Sequence, residues 1–179
     1  MPQSNVYGAL ANLLIYPDDN LQDSINECAN ILKASGSTAV EPIKGFARYV
    51  RESSIEDMQE YYTQTFEFNK ERALEVGWHL FGERYERGMF IVRMRQTLRQ
   101  LNLAESTELP DHLAHVLAAL GMMGDREAKD FATLIVMPAI QKMLAGFKEK
   151  ENQYAAVLDG IRDELITRYN LPEQGKNHG

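Results

Sequence analysis

A chain of 179 residues with 44% hydrophobic and 25% charged side chains has the size of one domain that can bury a core without disulfide or metal staples, and its composition excludes the disordered classes. A formal net charge of −7 and a pI near 5.1 oppose nonspecific attraction to nucleic-acid phosphates or anionic lipid, while tolerating a basic partner segment. Cys28, the one cysteine, precludes an internal disulfide. With Asn26, Glu27 and Asn30 beside it supplying no cation, a buried, inert thiol is expected.

Apolar residues recur at helical spacing almost throughout, without the alternation of a half-buried hairpin, which predicts an all-α domain. A first helix is expected from a Ser4 cap through Val6, Leu10, Leu13 and Leu14, stopping at Tyr16-Pro17. A second carries Leu21, Ile25, Cys28, Ala29 and Leu32 and ends at Ser35-Gly36, where glycine supplies a left-handed cap. A shorter third is expected around 42–50. Ser53 or Ser54 caps the next, with Glu56 and Asp57 in its first turn, and this helix delivers Tyr61, Tyr62 and Phe66.

The segment 70–81 repeats apolar residues at Leu74, Trp78 and Phe81, with Gly82 placed to end it. A long helix follows over about 84–101, striped by Ile91, Met94, Leu98 and Leu101. After a polar, acidic loop from Asn102 to Leu109, Pro110 is expected in the first turn of another helix. Asp125 is read as the cap of a helix over 126–147 kinked by Pro138, and a last helix over 151–169 carries Tyr154, Val157, Leu158, Ile161 and Leu165. Residues 1–171 thus read as a single all-helical domain, a bundle of about seven to nine helices, and residues 172–179 as a disordered tail. The longest greasy stretch, Phe131 to Ile140, is interrupted by Pro138. No run reaches the ~20 apolar residues that cross a bilayer, and Met1 to Asn5 lacks a basic segment leading into an apolar core. A cytoplasmic location without stable membrane insertion is expected.

Chemistry-bearing residues concentrate between Tyr61 and His112. His112 and His115 have a spacing that chelates zinc when a third ligand joins. The stripe of Leu113, Val116, Leu117 and Leu120, however, puts His112 at its border and His115 almost opposite, facing water. Asp111 and His112 form a possible acid–base dyad, but no nucleophile or oxyanion donor accompanies them; Asp111 as a helix cap or an arginine's partner is the plainer reading. Arg87 shares the stripe of Ile91, Met94 and Leu98 and needs a carboxylate, with Asp111, Glu83 and Glu67 as candidates. Half of the chain's aromatic residues fall between Tyr61 and Phe90. Most belong in a core, but Tyr62, Trp78 and Tyr85 also suit a groove that receives an apolar helix, and Met89, Met94, Met122 and Met123 would suit an adaptable one.

Five segments together, Tyr62-x-x-x-Phe66-Glu67-Phe68, Trp78-His79-Leu80-Phe81-Gly82, Glu83-Arg84-Tyr85-Glu86-Arg87-Gly88, Glu108-Leu109-Pro110-Asp111-His112-Leu113 and Tyr154-Ala155-Ala156-Val157-Leu158, resemble the NarJ type of molybdoenzyme chaperone, the nitrate reductase delta subunit, within the wider TorD and DmsD group. The chain departs from that pattern after Leu113, where Ala114-His115-Val116 stands in place of a proline and a Leu-Glu-Phe-type helix.

The resemblance implies an all-helical cytoplasmic monomer that is not an enzyme and carries no cofactor. Such a protein binds the N-terminal leader of a molybdopterin oxidoreductase's catalytic subunit, supports molybdenum-cofactor insertion and delays membrane attachment or export. Carried over by motif, the leader-binding residues are Tyr62, Trp78, His79, Tyr85, Arg87 and Gly88 with Leu109, Pro110, Asp111 and His112. The competing readings are a metal-dependent or hydrolytic enzyme using His79, His112 and His115, and a structural subunit of the mature oxidoreductase.

Overall fold

Helical apolar spacing becomes helical structure throughout the computed structural model, which describes residues 5–148 and 151–173. Among the described residues there is no β-strand, and the one isolated bridge joins Glu75 to His112 in antiparallel sense. The described residues form ten α-helical segments: α1 (Val6–Ala11), α2 (Leu21–Ala34), α3 (Val40–Arg51), α4 (Ile55–Tyr62), α5 (Val76–Phe81), α6 (Tyr85–Gln100), α7 (Leu113–Leu120), α8 (Asp125–Phe131), α9 (Met137–Ala145) and α10 (Gln153–Tyr169). A π turn, Ala132–Val136, joins α8 and α9 into one rod, which brings the described count to the upper end of the expected seven to nine.

The N-terminal helices follow their signals closely. The side chain of Asn5 caps α1 by accepting the Gly8 N–H at 2.9 Å, whereas Ser4, the expected cap, lies outside the described residues, as do residues 174–179 of the expected tail. Helix α1 is shorter than its apolar pattern because Leu13 and Leu14 close tighter turns onto Leu10 and Ala11; both are fully buried nonetheless. Gly36, at φ +70°, ends α2 in the left-handed region that glycine adopts without steric penalty. Ser54 rather than Ser53 caps α4, accepting the Asp57 N–H at 3.1 Å.

Three elements differ from expectation, each for a local reason. The predicted helix over 70–81 divides into a 3₁₀ turn, Lys70–Arg72, an extended link and α5. Residues 74–76 give their backbone to a second segment instead: Val76 N–H donates to the Asp111 carbonyl and Leu113 N–H to the Leu74 carbonyl, both at 2.8 Å. The same pairing moves Pro110 out of helix, so that α7 begins at Leu113 and His112, not Asp111, is its N-cap. At the third, the backbone widens before Pro138 instead of kinking at it. The π turn relieves the clash of the proline ring with the carbonyl four residues earlier and accommodates its missing N–H. Gly124 is the N-cap of α8, and Asp125 lies in its first turn, where its carboxylate complements the helix dipole.

Helix α3 packs between α2 and α10, α1 rests on α7 and α2, and α5 lies against α6 and α9. At the centre, the fully buried Tyr154 ring has Phe46, Tyr61, Tyr62 and Phe66 at centroid distances of 4.9–5.8 Å. Such aromatic pairs add about 0.5–1.5 kcal/mol each beyond the burial of their area. Tyr62, read as a ring that also suits a groove, is thus anchored in the core while one side of it lines a cavity. Cys28 is fully buried, and desolvation pushes its thiol up to about 12, which keeps it protonated and inert.

Candidate functional site

The site forms where the extended link before α5 pairs with the corner before α7. This short pairing of two segments places the Asp111 carboxylate directly beneath α5, where Gly77 N–H donates to Oδ2 at 3.1 Å. Arg87, in the first turn of α6, brings Nε within 3.6 Å of the same oxygen. Asp111 is fully buried while the Arg87 side chain remains about a quarter exposed, so the carboxylate bears most of the desolvation. Burial raises the Asp111 carboxyl above its usual range, opposed by the Arg87 charge and the Gly77 N–H. Of the three carboxylates proposed for Arg87, the fold selects this one. Gly77 is required by closeness: a Cβ there would stand 2.6 Å from Asp111 Oδ2 and 3.1 Å from the Phe90 ring.

His112 is held on both sides. Its Nδ1 accepts the Ala114 N–H at 3.1 Å, which puts the ring proton on Nε2, 3.4 Å from the Tyr62 hydroxyl. That hydroxyl in turn donates to the Leu14 carbonyl at 2.9 Å. Burial first, and the neighbouring His115 second, push His112 down to about 4, so it is a neutral structural imidazole. His115 corrects the expectation that it faces water: it is buried, its Nδ1–H donates to the Leu109 carbonyl at 2.8 Å, and its Nε2 accepts from Ser106 N–H at 3.1 Å. The 106–109 loop folds back over α7 and covers the face that the helical wheel alone leaves open. His79 Nε2–H donates to the Ala73 carbonyl at 2.6 Å, and burial lowers its pKa.

Trp78 lies partly exposed on α5, with Nε1–H donating to the Lys70 carbonyl at 3.0 Å. The Lys70 ammonium and the Arg87 guanidinium lie 5.3 and 5.9 Å from its ring centroid, both within cation–π range. On one side of α5, Trp78 and His79 border a cleft of about 420 Å³ with Lys70, Lys142 and Lys148. On the other, a cavity of about 300 Å³ is lined by Tyr62, Phe66, Leu74 and His112 and by the carboxylates of Glu67, Glu75 and Glu108, with Lys70 as its one basic residue. Glu75 feels that crowding: burial, then the Asp111 and Glu108 charges, raise its carboxyl.

The structure therefore gathers Trp78, Arg87, Leu109, Pro110, Asp111 and His112 around one corner, with Tyr62 beneath it and His79 turned to the lysine-lined cleft on the other side of α5. Tyr85 and Gly88 do not join them; both are exposed on the outward side of α6. Glu75, Glu108 and Gly77 are not among the leader-binding residues expected from the sequence, yet they line or shape this corner. Glu108 directly precedes the Leu-Pro-Asp-His corner, whereas nothing in the local sequence marks Glu75, whose place depends on a contact across 37 residues of chain. Among the described residues, no three His, Cys, Asp or Glu side chains are grouped to hold a metal ion, and the ring nitrogens of His112 and His115 are engaged in the contacts above. No helix of the described residues is long and apolar enough to cross a membrane.

A family model described as nitrate reductase delta subunit matches residues 33–158. The chain is 27% identical over 158 residues to the nitrate reductase molybdenum cofactor assembly chaperone NarJ of Escherichia coli strain K12, covering 84% of this chain and 65% of that protein. It is 29% identical over 113 residues to the assigned NarJ of Bacillus subtilis strain 168, covering 62% of this chain and 61% of the relative. The chain thus spans less than two thirds of the length of either. Its fold is similar to the crystal structure of a protein from Archaeoglobus fulgidus assigned as a redox enzyme maturation protein, with a TM-score of 0.60, 20% identity and coverage of 92% and 93% of the two chains.

Proposed function

Because the chain belongs to the nitrate reductase delta subunit family, we propose that it is an assembly chaperone and not a catalyst, acting on the catalytic subunit of a nitrate reductase or related molybdopterin oxidoreductase. In this reading it works as a cytoplasmic monomer, binds the subunit's N-terminal leader, keeps the subunit open to molybdenum-cofactor insertion, and delays membrane attachment or export. The observation that carries the leader-binding part is the cavity beside the Leu109–His112 corner. Tyr62, Phe66 and Leu74 give it an apolar floor, and Glu67, Glu75 and Glu108 give it a negative rim. An amphipathic basic leader would seat an apolar side chain on that floor and bring a lysine or arginine to the rim. Leu109, 45% exposed, and the partly exposed Trp78 extend the surface on either side of Asp111. Asp111 and Arg87 hold its walls at fixed separation, and His112 forms part of its lining. The checkpoint then follows from differential affinity: the chaperone favours the immature state only by as much as it binds that state better.

The test is calorimetric titration of the full chain with a synthetic leader peptide of the candidate catalytic subunit. We expect binding that weakens roughly tenfold in the double variant Glu75→Gln, Glu108→Gln and weakens further with salt. Affinity indifferent to both would remove the cavity as the leader site. Co-purification with the finished, cofactor-loaded oxidoreductase as readily as with its immature form would favour a structural subunit instead.

A further inference from the structure

Helix α6 carries an apolar stripe on its outward face. Tyr85, Met89 and Val92, at positions i, i+4 and i+7, are 82%, 45% and 52% exposed, while Phe90, Met94 and Leu98 on the opposite face are buried. Arg93 and Arg99 flank the stripe, both exposed, and neither has an ion pair among the described residues. Arg95, nearby, is engaged with Glu105 at 2.9 Å. Gly88 lies at the stripe's edge, with open space where a Cβ would stand, which leaves room for another backbone to come close. A chain with a net charge of −7 has thus placed an apolar face between two arginines that form no ion pair among the described residues.

We propose that this face docks an acidic amphipathic helix of a partner protein. Apolar side chains of such a helix, spaced by one turn, would cover Tyr85, Met89 and Val92, and carboxylates along its edge would take the Arg93 and Arg99 guanidiniums, whose planar donor forks match a carboxylate. The chemistry is opposite to that of the leader cavity, where the rim is carboxylate, so a basic leader is repelled here and an acidic helix is repelled there. Tyr85, grouped with the leader-binding residues by its motif, belongs to this second face. An extended phosphate polymer or an anionic bilayer would also meet the acidic remainder of the surface, which a single short helix does not. The inference stands on the α6 surface alone and does not depend on where the leader binds.

The test uses the full chain and two designed helical peptides, each with leucines one turn apart, one flanked by glutamates and the other by lysines, followed by fluorescence anisotropy. The glutamate peptide is expected to bind and the lysine peptide not. In the double variant Arg93→Glu, Arg99→Glu, the glutamate peptide should weaken roughly tenfold or more and the preference should reverse. If the reversed chain melts early, Arg93→Gln with Arg99→Gln makes the same comparison. Equal binding of the two peptides, or binding unchanged in the arginine variants, overturns the proposal. So does self-association abolished by Val92→Asp, or binding to anionic vesicles, when neither peptide binds.

Discussion

Arg87 Nε and Asp111 Oδ2 stand 3.6 Å apart, and through that ion pair α6 is fastened to the corner that precedes α7. Asp111 also accepts the Gly77 N–H, so a single carboxylate links three segments. Asp111→Ala strands Arg87 and the Gly77 donor together, and a loss of about 2–4 kcal/mol is expected in urea unfolding followed by Trp78 fluorescence. Asp111→Asn keeps an acceptor for Gly77 and relieves the buried charge, so its loss should be clearly smaller. Equal losses would mean that the charge, not the acceptor, is what the corner needs.

Gly77→Ala tests closeness instead of charge. The new methyl would meet Asp111 Oδ2 at 2.6 Å and the Arg87 side chain at 3.2 Å, and neither can withdraw without loosening the pair. Overpacking of this kind costs about 1–3 kcal/mol, read as a lowered melting temperature. A variant as stable as the parent would show that the corner yields freely.

His112 sets a pH dependence whose sign is fixed. Its folded pKa is depressed to about 4, below the ordinary histidine value near 6.5, so between those limits the unfolded chain binds more protons. Stability is therefore fully present above the unfolded value and falls as the pH drops from about 6.5 towards 4, with a slope of up to about 1.4 kcal/mol per unit from this group. His112→Gln should flatten that part of the profile. Asp111 and Glu75, whose carboxyl pKa values are raised, act oppositely, because the folded state holds their protons more tightly. A profile unchanged by His112→Gln would assign the acid sensitivity to other groups.

Glu75→Gln separates stability from binding. The charged carboxylate is disfavoured by burial and by Asp111 and Glu108, so its neutral isostere should raise stability by about 0.5–1 kcal/mol. The same change should weaken a basic leader peptide. Thermal melting and calorimetry on one sample decide it, and a gain in stability without loss of affinity would argue that the charge does not serve leader binding.

Gly88→Ala, inside an exposed stretch of helix with open space for the methyl, should stabilise the chain by about 0.5–1 kcal/mol, measured by chemical denaturation. Destabilisation would reveal a contact at Gly88 that the described residues do not show.

The sequence by itself determined the helices wherever an apolar stripe and a terminal signal agreed: Ser54 before α4, Gly36 after α2, Gly82 after α5, and the stripe of α10. It also offered Asp111 as one of three carboxylates for Arg87 and, through the family resemblance, grouped Trp78 with the Leu-Pro-Asp-His corner, because helix periodicity, capping chemistry and motif order are all local in the chain. Tertiary structure alone decided the rest. Residues 74–76 leave the helix because their backbone groups find partners around Asp111 and Leu113, and that pairing makes His112 the cap and lines Glu75 up with Glu108. His115 lost the solvent the wheel gave it once the 106–109 loop folded over α7, while Tyr85 kept its exposure because, among the described residues, no element packs on the outward face of α6. Periodicity reports which side of a helix is apolar. What comes to cover the other side depends on segments distant in sequence.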